Sequence, residues 1–375
     1  MFLAWREIKR AKLRFGLLTV AVALLVALVF VIQGLSAGLI SQFIGALRNQ
    51  DADVLVYGQQ ARRNLEGSIV TPAQMAAIEA AVGPEAAVGP LGEGTFTVVA
   101  GDEPEAQDAV IFGYELGGPG APTTLVEGRL PETDGEAVAS EADAGKGFGI
   151  GSRVVVQPGG QPITVVGLAD SIRYSVAPTL FVSFDTYVQA RKVRNPDALE
   201  VYPTAAAVQP APGVSDRETV DTINASVEGV EALTRDEAVN GSPGVGAVRQ
   251  SLGLVVLVAL LIVPIVAGFF FVILTVQKSS SLTLLRAIGA STAKLVGSLA
   301  LQAGVVLGGG IVLALVLVTL AGVFMTGDVG IELSVASVAV ISGVVTVLSA
   351  VALLAAIRRV LSIDPISATH TQGIT

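Results

Sequence analysis

The chain has 375 residues, 52% of them hydrophobic, a net charge of −9, no cysteine and a single histidine, His370. Disulfides, thiolate metal sites and cysteine nucleophiles are therefore excluded, and one histidine builds neither a two-histidine metal site nor a zincin helix. Residues 41–250 have ordinary soluble composition, with 13 cations and 28 acids, while long apolar runs lie on either side, so the chain reads as a membrane protein with one large water-exposed domain.

In chain order, residues 1–14 carry five cations and one acid. Phe2, Trp5 and Ile8 recur at helical spacing while Arg6, Lys9, Arg10 and Arg14 face elsewhere. That pattern predicts an amphipathic helix at the cytoplasmic interface, anchored by Trp5; a plain topogenic charge cluster is the alternative. Residues 15–47 form the first predicted span, apolar to Gly34 and mixed to Leu47. A cleaved signal peptide is disfavoured, because the apolar run is too long and no A-x-A site follows it.

The domain at 48–250 predicts as α+β. Val54 and Val56 alternate with Asp53 and Leu55 in a half-buried strand pattern. Thr71-Pro72 opens a helix carrying Met75, Ile78 and Val82 on one face and stopping at Gly83. Strand-like Thr95–Val99 and Ala109–Phe112 precede Glu127-Gly-Arg-Leu-Pro131, Gly135–Ala139 and a small helix ending at Gly145 or Gly147. Gly151–Val156 and Ile163–Gly167, joined through Pro158-Gly-Gly160, form the clearest hairpin. Ser215-Asp-Arg-Glu218 is a capping box for a helix with Val220, Ile223 and Val227, and a strand and an Asn240–Gly246 linker close the domain.

The second, third and fourth spans are expected at 251–277, 295–326 and 333–357, each near or above the roughly 20 helical residues a bilayer core requires. Pro264 lies inside the second, and the third is long enough that it should tilt, bend near Gly308-Gly309-Gly310 or protrude. Between them, the polar segment 278–294 carries three cations and no acid; the 327–332 turn carries two acids; the 358–375 tail carries two cations and one acid. The positive-inside rule then places both termini and the 278–294 segment in the cytoplasm and the large domain outside the plasma membrane.

Gly145-Lys146-Gly-Phe-Gly-Ile-Gly151 is glycine-rich, but G-x-x-x-x-G-K-[ST] occurs nowhere in the chain, so a turn into the hairpin is expected and ATP must be handled by another chain. The apolar centres of the spans contain no Asp, Glu, Lys or Arg, which disfavours an ion-coupled carrier. Gly34 with Gly38 and Gly304 with Gly308 have the four-residue spacing that lets membrane helices approach closely, although with 42 glycines such pairs also arise by chance.

Gln277-Lys-Ser-Ser-Ser-Leu-Thr-Leu-Leu-Arg-Ala-Ile-Gly-Ala-Ser-Thr-Ala-Lys294 resembles the segment after the second span in MacB/FtsX-like ABC transporter permeases, and the terminal Ile363-Asp-Pro-Ile-Ser-Ala368, Glu127–Pro131 and Gly149–Arg153 fit the same pattern. The resemblance implies four transmembrane helices, an extracytoplasmic α+β domain between helices 1 and 2, and a cytoplasmic coupling helix seated in a separate ATPase. It assigns the coupling contact to Leu285, Arg286, Ala287, Ile288, Gly289 and Ala290. Lys278-Ser279 departs from the acidic residue common in the family, so a salt bridge at that point is not carried over. The N-terminal sequence, the length and Asp53–Tyr57 are most similar to haem-exporter permeases of Gram-positive bacteria, which implies a homodimer taking haem from the membrane as substrate, with no permanently bound cofactor and no nucleic-acid partner. With no cysteine and His370 on the inner side, the candidate haem contacts are Tyr57, Tyr174 and Tyr202, with Gln33 and Gln42 on the upper first span. The rival expectations are a relay that controls a cell-wall hydrolase without transport, and export of another lipid, lipoprotein or antimicrobial peptide.

Overall fold

The computed structural model describes residues 11–101, 105–277, 292–324 and 333–361. The expected interfacial helix, the coupling segment with Leu285–Ala290, the 327–332 turn and the C-terminal tail lie wholly or almost wholly outside these residues. The chain divides into two compact units, residues 1–38 with 250–375, and residues 39–249.

The first unit is built from α1 (Lys12–Arg48) up to residue 38, α6 (Val245–Gln277) from residue 250, α7 (Thr292–Phe324) and α8 (Val335–Leu361), each helix containing a stretch long and apolar enough to cross a membrane. Its core joins Leu18, Val22, Val26 and Phe30 of α1 to Val263 and Ala267 of α6, Val306 and Ala314 of α7, and Ile341 and Val345 of α8. Leu257, Leu261, Ile265, Val312, Val316 and Val347 remain exposed, as helices that face lipid require. Helix α7 runs unbroken through Gly308-Gly309-Gly310. The glycines serve close packing: a Cβ on Gly310 would lie 2.8 Å from Val22 Cγ1 and one on Gly309 3.3 Å from Thr19 Cγ2. Gly304 and Gly308 have no atom within 4 Å of such a Cβ.

The second unit, the interspan domain, contains a ten-stranded mixed sheet. Its strands are β1 (Val54–Gly58), β2 (Ala87–Ala100), β3 (Gln107–Tyr114), β4 (Leu125–Gly128), β5 (Glu136–Ser140), β6 (Arg153–Val156), β7 (Pro162–Ala169), β8 (Thr179–Ser183), β9 (Ala205–Gln209) and β10 (Val230–Thr234). The order is β10-β1-β9-β2-β3-β8-β5-β7-β4, with β6 pairing β2 and β7. On one face, α2 (Pro72–Val82) and α4 (Asp216–Ser226) bury Ile78, Val220 and Ile223 against Val54, Val56 and Val208, and α3 (Phe184–Arg194) buries Tyr187 and Ala190 against Phe96 and Ile111. The other face carries Leu55, Tyr57, Leu91, Phe112 and Phe181, covered by Ile40, Ile44 and Leu47 from the end of α1, by Leu65 and by Ile172.

Local signals explain most of these elements. Thr71 caps α2 through a reciprocal box with Gln74, Pro72 is the first helical residue, and Gly83 ends the helix. Ser215 caps α4 by accepting from Glu218 N–H at 3.2 Å. The β6–β7 hairpin pairs Val154 with Ile163. Two expectations need correction. β1 is not half-buried: β9 and β10 flank it and both sheet faces are covered, so Val54, Leu55, Val56 and Tyr57 are all buried. The Asn240–Gly246 linker is mostly helical: a Thr234–Glu237 capping box starts α5 (Arg235–Gly241), and α6 begins at Val245.

Candidate functional site at the end of the first helix

Among the described residues one junction stands out, where the end of α1 is spliced into the interspan domain. Residues 170–177, between β7 and β8, form a strap across residues 42–49. The Gln42 carbonyl accepts from Val176 N–H at 3.0 Å and the Phe43 carbonyl from Ser175 N–H at 3.1 Å, while Ala46 N–H donates to Arg173 O at 3.2 Å. Ile44 and Tyr174 form an antiparallel bridge, and Asn49 Nδ2 donates to Ser171 O at 2.7 Å. Gly45 permits this approach, since a Cβ there would stand 2.3 Å from Ser171 O and 2.9 Å from Arg173 O. Every other residue type would push the strap off.

The strap is held in a costly shape. Ser171, Ser175 and Val176 lie at φ 53°, 52° and 63°, the left-handed region that costs a non-glycine residue about 1–3 kcal/mol and a β-branched one the most. Such a conformation persists only where its surroundings fix it. Here the fixing group is a buried ion pair: Arg173 Nε donates to Asp143 Oδ2 at 2.8 Å, Arg173 Nη2 donates to Asp143 Oδ1, and the two side chains are 6% and 0% exposed. Lys146 Nζ stands 3.6 Å from the same carboxylate. Asp143 sits in the 3₁₀ turn Glu141–Lys146, so the pair ties the strap to the segment after β5. A two-pronged charged hydrogen bond of this kind fixes orientation as well as distance.

Glu93 of β2 lies opposite Phe112, whose ring packs edge-on to Tyr174 of the strap at 5.3 Å. The Glu93 side chain is buried, and its Oε2 has no hydrogen-bond partner among the described residues. Burial, reinforced by Glu66 and opposed by Arg191 and Arg194, pushes its carboxyl up to about 7.

Tyr57 is sealed in the core and Tyr174 packs at its edge, and burial raises both phenols well above the ordinary range. Iron ligation by phenolate from either position therefore requires that core to open. Tyr202 donates to Glu200 at an exposed site. Gln33 is half-buried on α1, and Gln42 is buried with its carbonyl in the strap. Sequence reasoning missed Arg173, Asp143, Gly45 and Glu93. Only the reversed polarity of Glu93 within an apolar strand offered a signal.

In Glu127–Pro131, Arg129 grips Glu136 with both nitrogens, and Glu132 N–H adds a bond at 2.9 Å. Arg129 first, then these backbone donors, hold the Glu136 carboxyl down at about 2. A carboxyl lowered in this way contributes stability above its ordinary value near 4.5 and loses it as pH falls towards 2. Arg129→Ala is therefore expected to raise the pH midpoint of acid unfolding, read by far-ultraviolet circular dichroism.

Residues 15–226 match the family model of the MacB-like periplasmic core domain. The chain belongs to the MacB/FtsX-like family of ABC transporter permeases. It is 25% identical over 369 residues to the hemin transport system permease protein HrtB named in Staphylococcus haemolyticus, covering 98% of this chain and 99% of that one. An uncharacterized ABC transporter permease of Mycobacterium tuberculosis is 25% identical over 374 residues, again covering 98% and 99%. Among solved structures, the extracellular domain of the ABC-type transporter YknZ from Gram-positive bacteria aligns at TM-score 0.30 and 16% identity, covering 44% of this chain and 90% of that one. The permease is thus a plasma-membrane protein of a family that works with an ATPase subunit.

Proposed function

We propose that the permease exports haem from the membrane as a homodimer driven by a separate ATPase, without catalytic activity of its own. The observation that carries this reading is the alignment over nearly the whole chain with relatives named for hemin transport. The charge distribution supports cytoplasmic termini and an external interspan domain. In this reading, closure of the ATPases moves the 278–294 segments, with Arg286 as the contact and Leu285, Ala287, Ile288, Gly289 and Ala290 packing around it. Helix α1, 37 residues and so about 55 Å long, passes the displacement outward. Gln33, Gln42 and Tyr202 are the proposed polar contacts to haem, and Tyr57 and Tyr174 serve only if the core opens.

Two measurements test the reading. Purified permease titrated with haem is expected to shift the Soret band; an unchanged band rejects this substrate. In vesicles holding permease and ATPase, Arg286→Ala is expected to weaken ATPase docking by about 2 kcal/mol, roughly 30-fold, as loss of a central interface arginine does. Haem-stimulated hydrolysis and export then fall together. Full activity of both removes Arg286 from coupling. The strap also suits a relay that controls a cell-wall hydrolase: a hydrolase co-purifying with the permease, with hydrolysis insensitive to haem, favours that reading.

A further inference from the structure

The strap is an expensive way to join two helical turns to a loop. The end of α1 already buries Ile40, Ile44 and Leu47 in the domain core, so attachment alone does not require it. What the strap adds is direction. Apolar contacts slide, whereas hydrogen bonds from Ser175, Val176 and Ala46 and the Asn49 tether fix the rotation and the axial position of α1 against the loop. The same loop leads straight into β8, which lies in the middle of the sheet between β3 and β5. A push or twist on residues 42–49 therefore reaches the centre of the sheet within a few residues of chain.

We propose that the 170–177 strap is the element through which the first helix moves the interspan domain, and that Arg173 is its positioning residue. This rests on the reading of the chain as an ATP-driven permease. Arg173 is buried in the strap itself and acts by holding it in a shape that its own backbone disfavours. Without the Asp143 grip, Ser171, Ser175 and Val176 relax out of the left-handed region, their bonds to α1 loosen, and α1 moves without carrying the sheet. Lys146 remains beside Asp143 and offsets part of its charge, so the domain is expected to fold with reduced stability. The expected phenotype is uncoupling and not loss of either part.

The test uses the whole permease with its ATPase in vesicles and compares wild type, Arg173→Met and Arg173→Lys. Expected for Arg173→Met are a melting transition for the interspan domain, ATP hydrolysis near the wild-type rate, and haem exported per ATP reduced about tenfold, within the ordinary range of coupling between two sites. Arg173→Lys, which keeps the charge but not the two-pronged grip, falls between. A second readout needs no ligand. The chain is free of cysteine, so spin labels at Leu13→Cys and Leu199→Cys, both exposed, report their separation within one protomer by pulsed electron resonance once labelled permease is diluted with unlabelled copies. That distance is expected to change with nucleotide state in the otherwise wild-type protein and to remain fixed in Arg173→Met. Wild-type export per ATP, or a wild-type distance change, in folded Arg173→Met overturns the proposal. If Arg173→Met does not fold, Arg173→Lys is judged by the same two criteria. Absence of haem export in wild type, with the nucleotide-driven distance change present, sinks the haem reading and leaves the strap standing.

Discussion

Replacing Asp143 by alanine is expected to cost the interspan domain about 3–5 kcal/mol, because it removes the carboxylate that takes two hydrogen bonds from the buried Arg173 guanidinium. Domains of this kind have only about 5–15 kcal/mol in total, and for one of this size the loss corresponds to a fall in melting temperature on the order of 10 °C. The larger part of the cost is the desolvation of a charge that has lost this carboxylate and not the lost attraction. Asp143→Leu combined with Arg173→Met, which removes both charges, is therefore expected to recover most of the stability. Thermal unfolding of the three proteins in one detergent settles the matter: a double variant as unstable as Asp143→Ala contradicts the electrostatic account and points to packing. The double variant lacks the grip on the strap, so its export should stay uncoupled after its stability returns.

Glu93→Gln is expected to remove a pH dependence of stability that lies above the usual carboxylate range. The folded state raises the Glu93 carboxyl from 4.5 to about 7, so the native protein binds more protons than the unfolded chain between those values. Stability is accordingly full below about 4.5 and declines as pH rises through 7, by about 3 kcal/mol for a shift of this size. The glutamine side chain does not titrate, so the variant should hold its stability from pH 5 to pH 8 and exceed wild type at the alkaline end. Glu136 acts in the opposite sense and at lower pH, which separates the two. Denaturant midpoints at several pH values measure the effect; parallel slopes for wild type and Glu93→Gln refute it. Tyr174 packs on Phe112, the cross-strand neighbour of Glu93, so the alkaline loss should appear first as faster amide exchange in the strap.

Much of the architecture was legible because it follows from short-range rules. Long apolar runs, caps at Thr71 and Ser215, and the Pro158-Gly-Gly160 turn each depend on neighbours in sequence. What escaped depends on partners far along the chain. Ala205–Gln209 is a central strand whose alanines carry little strand preference of their own; it is placed by pairing with β1 and β2. The full burial of β1 follows from layers laid down on its two faces by segments on either side of it in the chain. Arg173 and Asp143, thirty positions apart in the chain, read individually as two ordinary charges. Nothing local sets Gly45 apart from the other small residues of α1, and only the strap explains why nothing larger fits.

The first and last strands of the interspan domain, β1 and β10, are hydrogen-bonded neighbours, Val54 facing Thr234. The polypeptide therefore enters and leaves this module through adjoining doorways roughly 5 Å apart. Any exchange of this module between related permeases must nevertheless carry the end of α1 and the helix after β10 with it, because Ile40, Ile44, Leu47, Ala238 and Val239 line the same core.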